Sequence, residues 1–147
     1  MANGVVYFGT IDGYVYALNA STGAKLWSTI IADGVYSSPA VANGVVFISG
    51  SSSVENTLHA LNANTGAQLW SSKVGPNEGT VALANGVVYV CSEFDGMVYA
   101  LNANTGTKQS VRRRWMLRRL RNGLLAIACL SHPADPVGLL KRVTHYL

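Results

Sequence analysis

Short apolar runs, each preceded by a turn signal, recur along residues 1–108. The run "VVYFG" at 5–9 is followed by "VVFIS" at 45–49 and "VVYVC" at 87–91, and an Asn-Gly pair stands directly before each of them. Asn-Gly between apolar runs favours a tight hairpin, because both central residues of such a turn need positive φ. Runs that are apolar on both faces are typical of strands in stacked sheets. The pattern therefore predicts short antiparallel strands.

A longer motif repeats with a similar period. "ALNASTGAKLW" begins at Ala17, "ALNANTGAQLW" at Ala60 and "ALNANTGT" at Ala100, so the spacings are 43 and 40 residues. The Asn-Gly pairs recur at spacings of 40 and 42 residues, and the longer turn "SGSSSVEN" accounts for the extra residues of the middle unit. A repeat of this length with no helical pattern predicts an all-β fold made of four-stranded antiparallel blades, as in β-propellers.

The longer motif resembles the tryptophan-docking motif of the PQQ-like (pyrroloquinoline quinone) repeat family of β-propellers. That motif runs Ala-x-Asp/Asn-x-x-Thr-Gly-x-x-x-Trp. Two copies in this chain match it in full, and the third has Ser110 where the tryptophan is due. The resemblance covers about residues 1–108 and implies that each docking tryptophan packs between neighbouring blades. The matching residues are Ala17, Asn19, Thr22, Gly23, Trp27, Ala60, Asn62, Thr65, Gly66, Trp70, Ala100, Asn102, Thr105 and Gly106.

The sequence predicts two unlike segments. Residues 1–108 are expected to hold a partial blade, a full blade and a second partial blade that ends after its third strand. Because three incomplete or complete blades are too few to close a propeller ring, we expect a fragment of a larger protein. Its expected partner is another protein or the remaining blades of a full propeller. Residues 109–147 are expected to form a basic tail, helical or irregular.

Charge separates the tail from the repeats. Residues 1–108 carry a net charge of −3, whereas residues 109–147 contain eight basic residues against one acid, a net charge of +7. Three interpretations of the tail stay open: a basic amphipathic helix, a decayed fourth blade in which "NGLLAIAC" imitates "NGVVYVC", and a shifted reading frame. Read one base earlier, residues 115–121 can encode "VDASSPA", which resembles "GVYSSPA" at 34–40. This favours the shifted frame, and we expect the tail to contact neither membrane nor nucleic acid.

The candidate reactive side chains fit structural roles better than catalytic ones. His59 takes the place that Tyr16 and Tyr99 occupy in the other units, which predicts a packed side chain. Cys91 falls at a small-residue position, and its spacing from Cys129 matches neither a CxxC pair nor a metal site. No glycine-rich phosphate loop, metal-ligating cluster or pair of catalytic acids can be assembled. We therefore predict no catalytic, cofactor-binding or metal-binding residue.

Three hypotheses about function follow. The leading one is a non-catalytic scaffold or binding surface, because the docking motif specifies the fold and not a cofactor site. The resemblance also allows a fragment of a PQQ-dependent quinoprotein dehydrogenase, which would need the quinone and calcium. The third is a basic tail that binds membrane or nucleic acid. No signal peptide or transmembrane run is visible, although members of the family are commonly extracytoplasmic.

Overall fold

Three antiparallel sheets make up the computed structural model, which describes residues 2–53, 56–75, 81–92 and 96–113. The first sheet contains β1 (Val5–Gly9), β2 (Tyr14–Asn19) and β3 (Lys25–Ile30). The second contains β4 (Ala40–Ala42), β5 (Val45–Ser51), β6 (Asn56–Asn62) and β7 (Gln68–Val74). The third contains β8 (Val81–Ala84), β9 (Val87–Cys91), β10 (Met97–Asn102) and β11 (Lys108–Arg113). The predicted all-β fold of blade-like sheets without a closed ring is confirmed for these residues.

Each sheet is a meander, in which every strand pairs with its neighbour along the chain. The described residues include no helix long and apolar enough to span a membrane. Of the tail, which was expected to be helical or irregular, residues 109–113 belong to strand β11, and the rest, together with Cys129, lies outside the described residues.

The Asn-Gly pairs form the tight turns expected of them. Asn3, Asn43 and Asn85 have φ values of 49°, 51° and 51°, and the glycines that follow them have φ values of 72°, 74° and 74°. Consecutive positive φ values match the right-handed twist of the two strands that the turn joins, and asparagine and glycine adopt them at low cost. The first of these turns lies directly before β1. The second joins β4 to β5, and the third joins β8 to β9.

The third sheet differs from the sequence interpretation, which ended the third unit after three strands. Its fourth strand, β11, pairs with β10 and places Ser110 opposite Ala100. Trp27 and Trp70 stand opposite the equivalent alanines in the first and second sheets. Strand pairing uses backbone N–H and C=O groups, so losing the indole does not prevent the strand from forming. The repeat pattern of the backbone therefore reaches Arg113, five residues beyond the expected boundary at 108.

Two apolar clusters hold the three sheets together. One joins the first sheet to the second, and the other joins the second to the third. In β6 the alternation of side chains divides the strand between them, with Leu61 in the first cluster and Leu58 and Ala60 in the second. The middle sheet is therefore covered on both faces, which explains why its strands are apolar on both sides.

Candidate binding surface: the tryptophan-docking seams

The asparagine of each docking motif folds the turn that follows it. The side-chain Oδ1 of Asn19 accepts hydrogen bonds from the backbone N–H groups of Ser21 and Thr22, at 2.9 and 3.0 Å. Asn62 and Asn102 accept the same pair of hydrogen bonds in their own units, at 2.9 and 3.1 Å. A short side chain with an oxygen acceptor can imitate a backbone turn in this way, so the motif uses Asp or Asn at this position.

A bulge next to the motif alanine sets the position of the tryptophan. Trp27 pairs with Ala17 and Trp70 with Ala60, and in each sheet the register shifts directly after the alanine. A bulge inserts one residue on one strand and re-aims the side chains beside it. Both alanines are completely buried, so a larger residue at either position would displace the indole.

Each tryptophan reaches across a seam to the motif of the next unit. The Nε1–H of Trp27 donates to the backbone carbonyl of Ala63 at 2.9 Å, and that of Trp70 donates to the carbonyl of Ala103 at 3.0 Å. Each indole also covers a glycine. A Cβ atom at Gly66 would lie 2.6 Å from Cε3 of Trp27, and one at Gly106 would lie 2.5 Å from Cε3 of Trp70. Glycine is thus required twice, for its left-handed φ and for the space that the indole fills.

An aromatic residue on the far side of the motif alanine, two strands away in the same sheet, supports each indole, and sequence reasoning missed it. The rings of Tyr7 and Trp27 have centroids 5.8 Å apart, and those of Phe47 and Trp70 are 5.9 Å apart. Tyr7 also donates its hydroxyl hydrogen to the Ala63 carbonyl at 3.1 Å, and burial raises the pKa of this hydroxyl. The signal was present in the sequence, because an aromatic residue follows each "NGVV".

The docking contacts run in one direction along the chain. Trp27 docks on the second unit and Trp70 on the third, whereas Ser110 occupies the tryptophan position of the third unit. At the other end, Ala20 and Gly23 of the first motif are exposed, and a Cβ added at Gly23 would meet no atom within 4 Å. The motif of the first unit is thus formed, but no tryptophan of the described residues lies on it.

His59 is the one described histidine, and its position matches the expected packed side chain. It is 6% exposed in β6, its Nδ1 lies 2.8 Å from Oε1 of Gln68, and its Nε2 has no hydrogen-bond partner among the residues that the structure describes. Since the Gln68 oxygen only accepts, Nδ1 carries the hydrogen of this contact. Burial lowers the pKa of His59, and the hydrogen bond to Gln68 opposes this shift to a smaller degree.

We expect His59 to make the protein acid-sensitive. A pKa that is lower in the folded state than its ordinary value of 6.5 means that the unfolded chain binds the proton more tightly. Stability is therefore fully present above about pH 6.5 and falls at lower pH, by at most about 1.4 kcal/mol per pH unit for one proton. In the His59→Gln variant this part of the pH dependence should disappear. Urea unfolding of both proteins from pH 7.5 to 5 tests this, and parallel stability curves would contradict it.

Other titratable side chains form no candidate centre in the part of the chain that the structure describes. No group of three or more His, Cys, Asp or Glu side chains comes together there to hold a metal ion. Cys91 is buried in β9, with 1% of its surface exposed. His132, His145 and the glutamates at 55, 78 and 93 lie outside the described residues.

Comparison with known proteins places these features in a family. A family model described as outer membrane protein assembly factor BamB matches residues 1–54 and 12–128. No curated protein matches the sequence. Among solved structures, BamB from Moraxella catarrhalis is 27% identical and superimposes with a TM-score of 0.66 over 75% of this chain and 33% of its own. The chain thus spans about a third of the length of that relative.

Dehydrogenases of similar fold are more distant in sequence. A europium-containing methanol dehydrogenase is 21% identical, with a TM-score of 0.61 over 76% of this chain and 23% of its own. A quinohemoprotein alcohol dehydrogenase from Pseudomonas putida HK5 is 22% identical, with a TM-score of 0.64 over 75% of this chain and 25% of its own. At these identities the likeness concerns the fold alone.

Proposed function

This chain belongs to the PQQ-like repeat family of β-propellers, and from that premise we propose that it is a non-catalytic propeller segment that presents a binding surface to another protein. The observation that carries the proposal is the match over most of the chain to the family model described as outer membrane protein assembly factor BamB. Assembly factors act by contact with other proteins, whereas the similarity to dehydrogenases rests on fold alone.

The surface chemistry of the blades supports a role in protein contact. Leu26 and Leu69 stand directly before the docking tryptophans on the outer strands and are 52% and 53% exposed. Ile30 and Tyr36 add further exposed apolar surface. Single exposed apolar residues are common, but a repeated exposed leucine at the same place in two blades suits a partner that contacts both.

The motif's polar groups are already used within the fold. The asparagine oxygens accept hydrogen bonds from their own turns, and the tryptophan N–H groups donate to the next unit. None of these groups is left to bind a small ligand. This favours a structural role for the motif, with function residing on the outer surfaces of the blades.

The alternative is a fragment of a PQQ-dependent dehydrogenase, which the fold similarity to two such enzymes favours. Such a centre would need ligands for calcium and a base to take the substrate proton. Among the described residues between 2 and 113, no three His, Cys, Asp or Glu side chains come together, so by themselves they supply no carboxylate cluster for calcium. An enzyme of this type would depend on residues contributed from outside these ranges.

Reconstitution with PQQ and Ca²⁺ separates the two functions. We expect no saturable change in quinone fluorescence and no dye reduction above a heat-treated control with several alcohols and sugars. The reason is that the described side chains bring together no three His, Cys, Asp or Glu residues that could hold a metal beside the quinone. Stoichiometric quinone binding together with substrate-dependent dye reduction would replace the scaffold proposal with the dehydrogenase.

One further expectation stays a proposal for this chain. We propose that its C-terminal segment is distinct from the repeats and that the basic charge of this segment is not a selected binding patch. The hypothesis of membrane or nucleic-acid binding by that segment concerns residues outside the described ranges.

A further inference from the structure

The second unit differs from the first and third at two positions that contact each other. On β6 and β7 these positions hold His59 and Gln68, and Nδ1 of His59 lies 2.8 Å from Oε1 of Gln68. The other two units have a tyrosine and a lysine there, Tyr16 with Lys25 and Tyr99 with Lys108. In the third unit the Lys108 ammonium lies over the Tyr99 ring, 5.4 Å from its centroid. The two positions therefore differ together, as one contact.

The exchange of both residues has a physical reason. A lysine at position 68 would place a cation beside a histidine that is only 6% exposed, and it would leave the Nδ1–H of His59 without an acceptor. Gln68 supplies an oxygen that accepts this hydrogen and carries no charge. The second unit thus has a ring that titrates near neutral pH where the other units have tyrosine, whose hydroxyl stays uncharged there.

The unpaired nitrogen of His59 is packed inside the seam between the first two sheets. Leu61, two residues further along β6, is buried in the cluster that joins these sheets, and alternate side chains share a face. Nε2 of His59 has no hydrogen-bond partner among the described residues. A Cβ atom at Gly50 would lie 3.7 Å from Nε2 and 2.5 Å from Cβ of Ala32. Nε2, Gly50 and Ala32 therefore form one packed group.

This alanine belongs to the connector, residues 31–36, which leads from β3 towards β4. The backbone N–H groups of Ile31 and Val35 donate to carbonyls of the β1–β2 turn in the first sheet, at 3.0 and 2.9 Å. Gly34 and Ser51 join the connector to the second sheet, because the N–H of each donates to the carbonyl of the other, at 3.1 and 2.8 Å. The connector is thus bonded to both sheets through separate amides.

A proton on Nε2 would place a cation, with an N–H that has no described acceptor, in this packed group. Burying such a group is costly, and the cost is relieved when water reaches the nitrogen. Strand β6 is paired along its whole length with β5 and β7, so the connector separates at lower cost than the strand. We therefore propose that His59 and Gln68 form a pH-sensitive contact. Protonation of the ring releases the connector from the second sheet and leaves it bonded to the first.

The direction of the pH dependence follows from the burial of the ring. Burial lowers the pKa of His59 below its ordinary value of 6.5, and the hydrogen bond to Gln68 opposes this shift to a smaller degree. The open form, in which water reaches the ring, binds the proton more tightly. The connector therefore stays on the second sheet above about pH 6.5, and the ratio of open to closed forms rises by at most about tenfold per pH unit below it.

The elements around His59 carry few charged groups that could take over this role. Strands β1, β2 and β5 contain none, β3 has Lys25 at its end away from the connector, and β7 has Lys73. Asp33 lies in the connector and Asp12 in the β1–β2 turn, whereas Glu55, directly before β6, lies outside the described residues. Asp12→Asn, Asp33→Asn and Glu55→Gln are therefore controls that should keep the pH response.

Hydrogen exchange of single backbone amides in the full chain, followed by NMR at pH 7.5 and 5.0, measures the opening. After correction for intrinsic exchange rates, the amides of Gly34 and Ser51 should lose protection at pH 5.0, by up to about thirtyfold for one proton. The amides of Ile31 and Val35 lie on the same connector but are bonded to the first sheet, so they should keep their protection. This contrast separates local opening from unfolding of the whole protein.

Two variants without the titrating ring test its role. The double variant His59→Tyr/Gln68→Lys restores the pair of the other two units, so Gly34 and Ser51 should be equally protected at both pH values. His59→Gln also removes the titrating group, and it should give the same result if the double variant does not fold. Circular dichroism shows which variants are folded.

Three results would overturn the proposal. Equal loss of protection at all four amides would mean that acid only lowers global stability. A pH response that persists in a folded variant without His59, or that disappears in Asp12→Asn, Asp33→Asn or Glu55→Gln, would assign it to another group. Tyr36, which is 55% exposed, belongs to the connector, so its release would change surface that the proposed function gives to a partner. The exchange experiment uses neither partner nor quinone, so its outcome is independent of that function.

Discussion

Replacing Trp27 with alanine is expected to lower the free energy of unfolding by about 3–5 kcal/mol. The side chain is 9% exposed, contacts Tyr7, covers Gly66 and donates a hydrogen bond to the Ala63 carbonyl. Its removal leaves a cavity between the first two sheets, which the described residues otherwise join through one apolar cluster. The loss is large against the 5–15 kcal/mol of a typical domain. Urea unfolding followed by circular dichroism measures it.

The neighbouring residue provides a matched control. Leu26 lies on the same strand and is 52% exposed, so Leu26→Ala should change stability by about 0.5 kcal/mol or less. Trp70→Ala should lower the free energy of unfolding by less than Trp27→Ala does, because Trp70 is only half-buried. Equal small losses of stability in Leu26→Ala and Trp27→Ala would contradict the assignment of Trp27 to the seam between the first two sheets.

Tyr7→Phe separates packing from hydrogen bonding at the same seam. The Ala63 carbonyl accepts from both Trp27 and Tyr7, so removing the tyrosine hydroxyl leaves it one partner. The variant reproduces the second seam, where Phe47 contacts Trp70 without a hydroxyl. Its cost should therefore stay near the value of one hydrogen bond, about 0.5–1.5 kcal/mol, well below that of Trp27→Ala.

Local features of the fold were predictable because residues that are close in sequence determine them. Asn43-Gly44 specifies a turn whose φ values only a few residue types adopt easily, and the structure has that turn. The asparagine of each docking motif likewise acts on backbone groups two and three residues away. The repeat spacing then indicated the number of such units. Short-range chemistry repeated at a regular period is the kind of information that a single sequence carries well.

The features that sequence reasoning missed depend on contacts between distant residues or on the backbone alone. The hydrogen bond from Tyr7 to Ala63 spans 56 residues, and no local pattern names its acceptor. Strand β11 was missed because the end of the third unit was judged from the tryptophan-docking motif, which has Ser110 at its last position. Pairing with β10 needs only backbone groups. Sequence reasoning also could not show that Gly23 is exposed. Its motif is of the same type as those of Gly66 and Gly106, which tryptophan side chains cover.

The exposure of Gly23 leads to the second large expected effect, a difference in stability between the same substitution at Gly66 and at Gly23. Gly66→Asn should destabilise the protein by about 1–3 kcal/mol more than Gly23→Asn, because overpacking adds to a turn cost that both variants share. Both residues have left-handed φ, 74° and 71°, so the backbone strain of asparagine is alike. Only at Gly66 does the new Cβ meet an indole, 2.6 Å from Cε3 of Trp27.

A double-mutant cycle decides whether the indole is the cause. In a Trp27→Ala background the ring is absent, so Gly66→Asn should cost no more than Gly23→Asn does in the wild-type chain, and the two substitutions should couple strongly. Urea unfolding of the four proteins of the cycle, with Gly23→Asn measured beside them, gives the coupling energy. If Gly66→Asn is equally costly with and without the indole, the glycine is required for its turn alone.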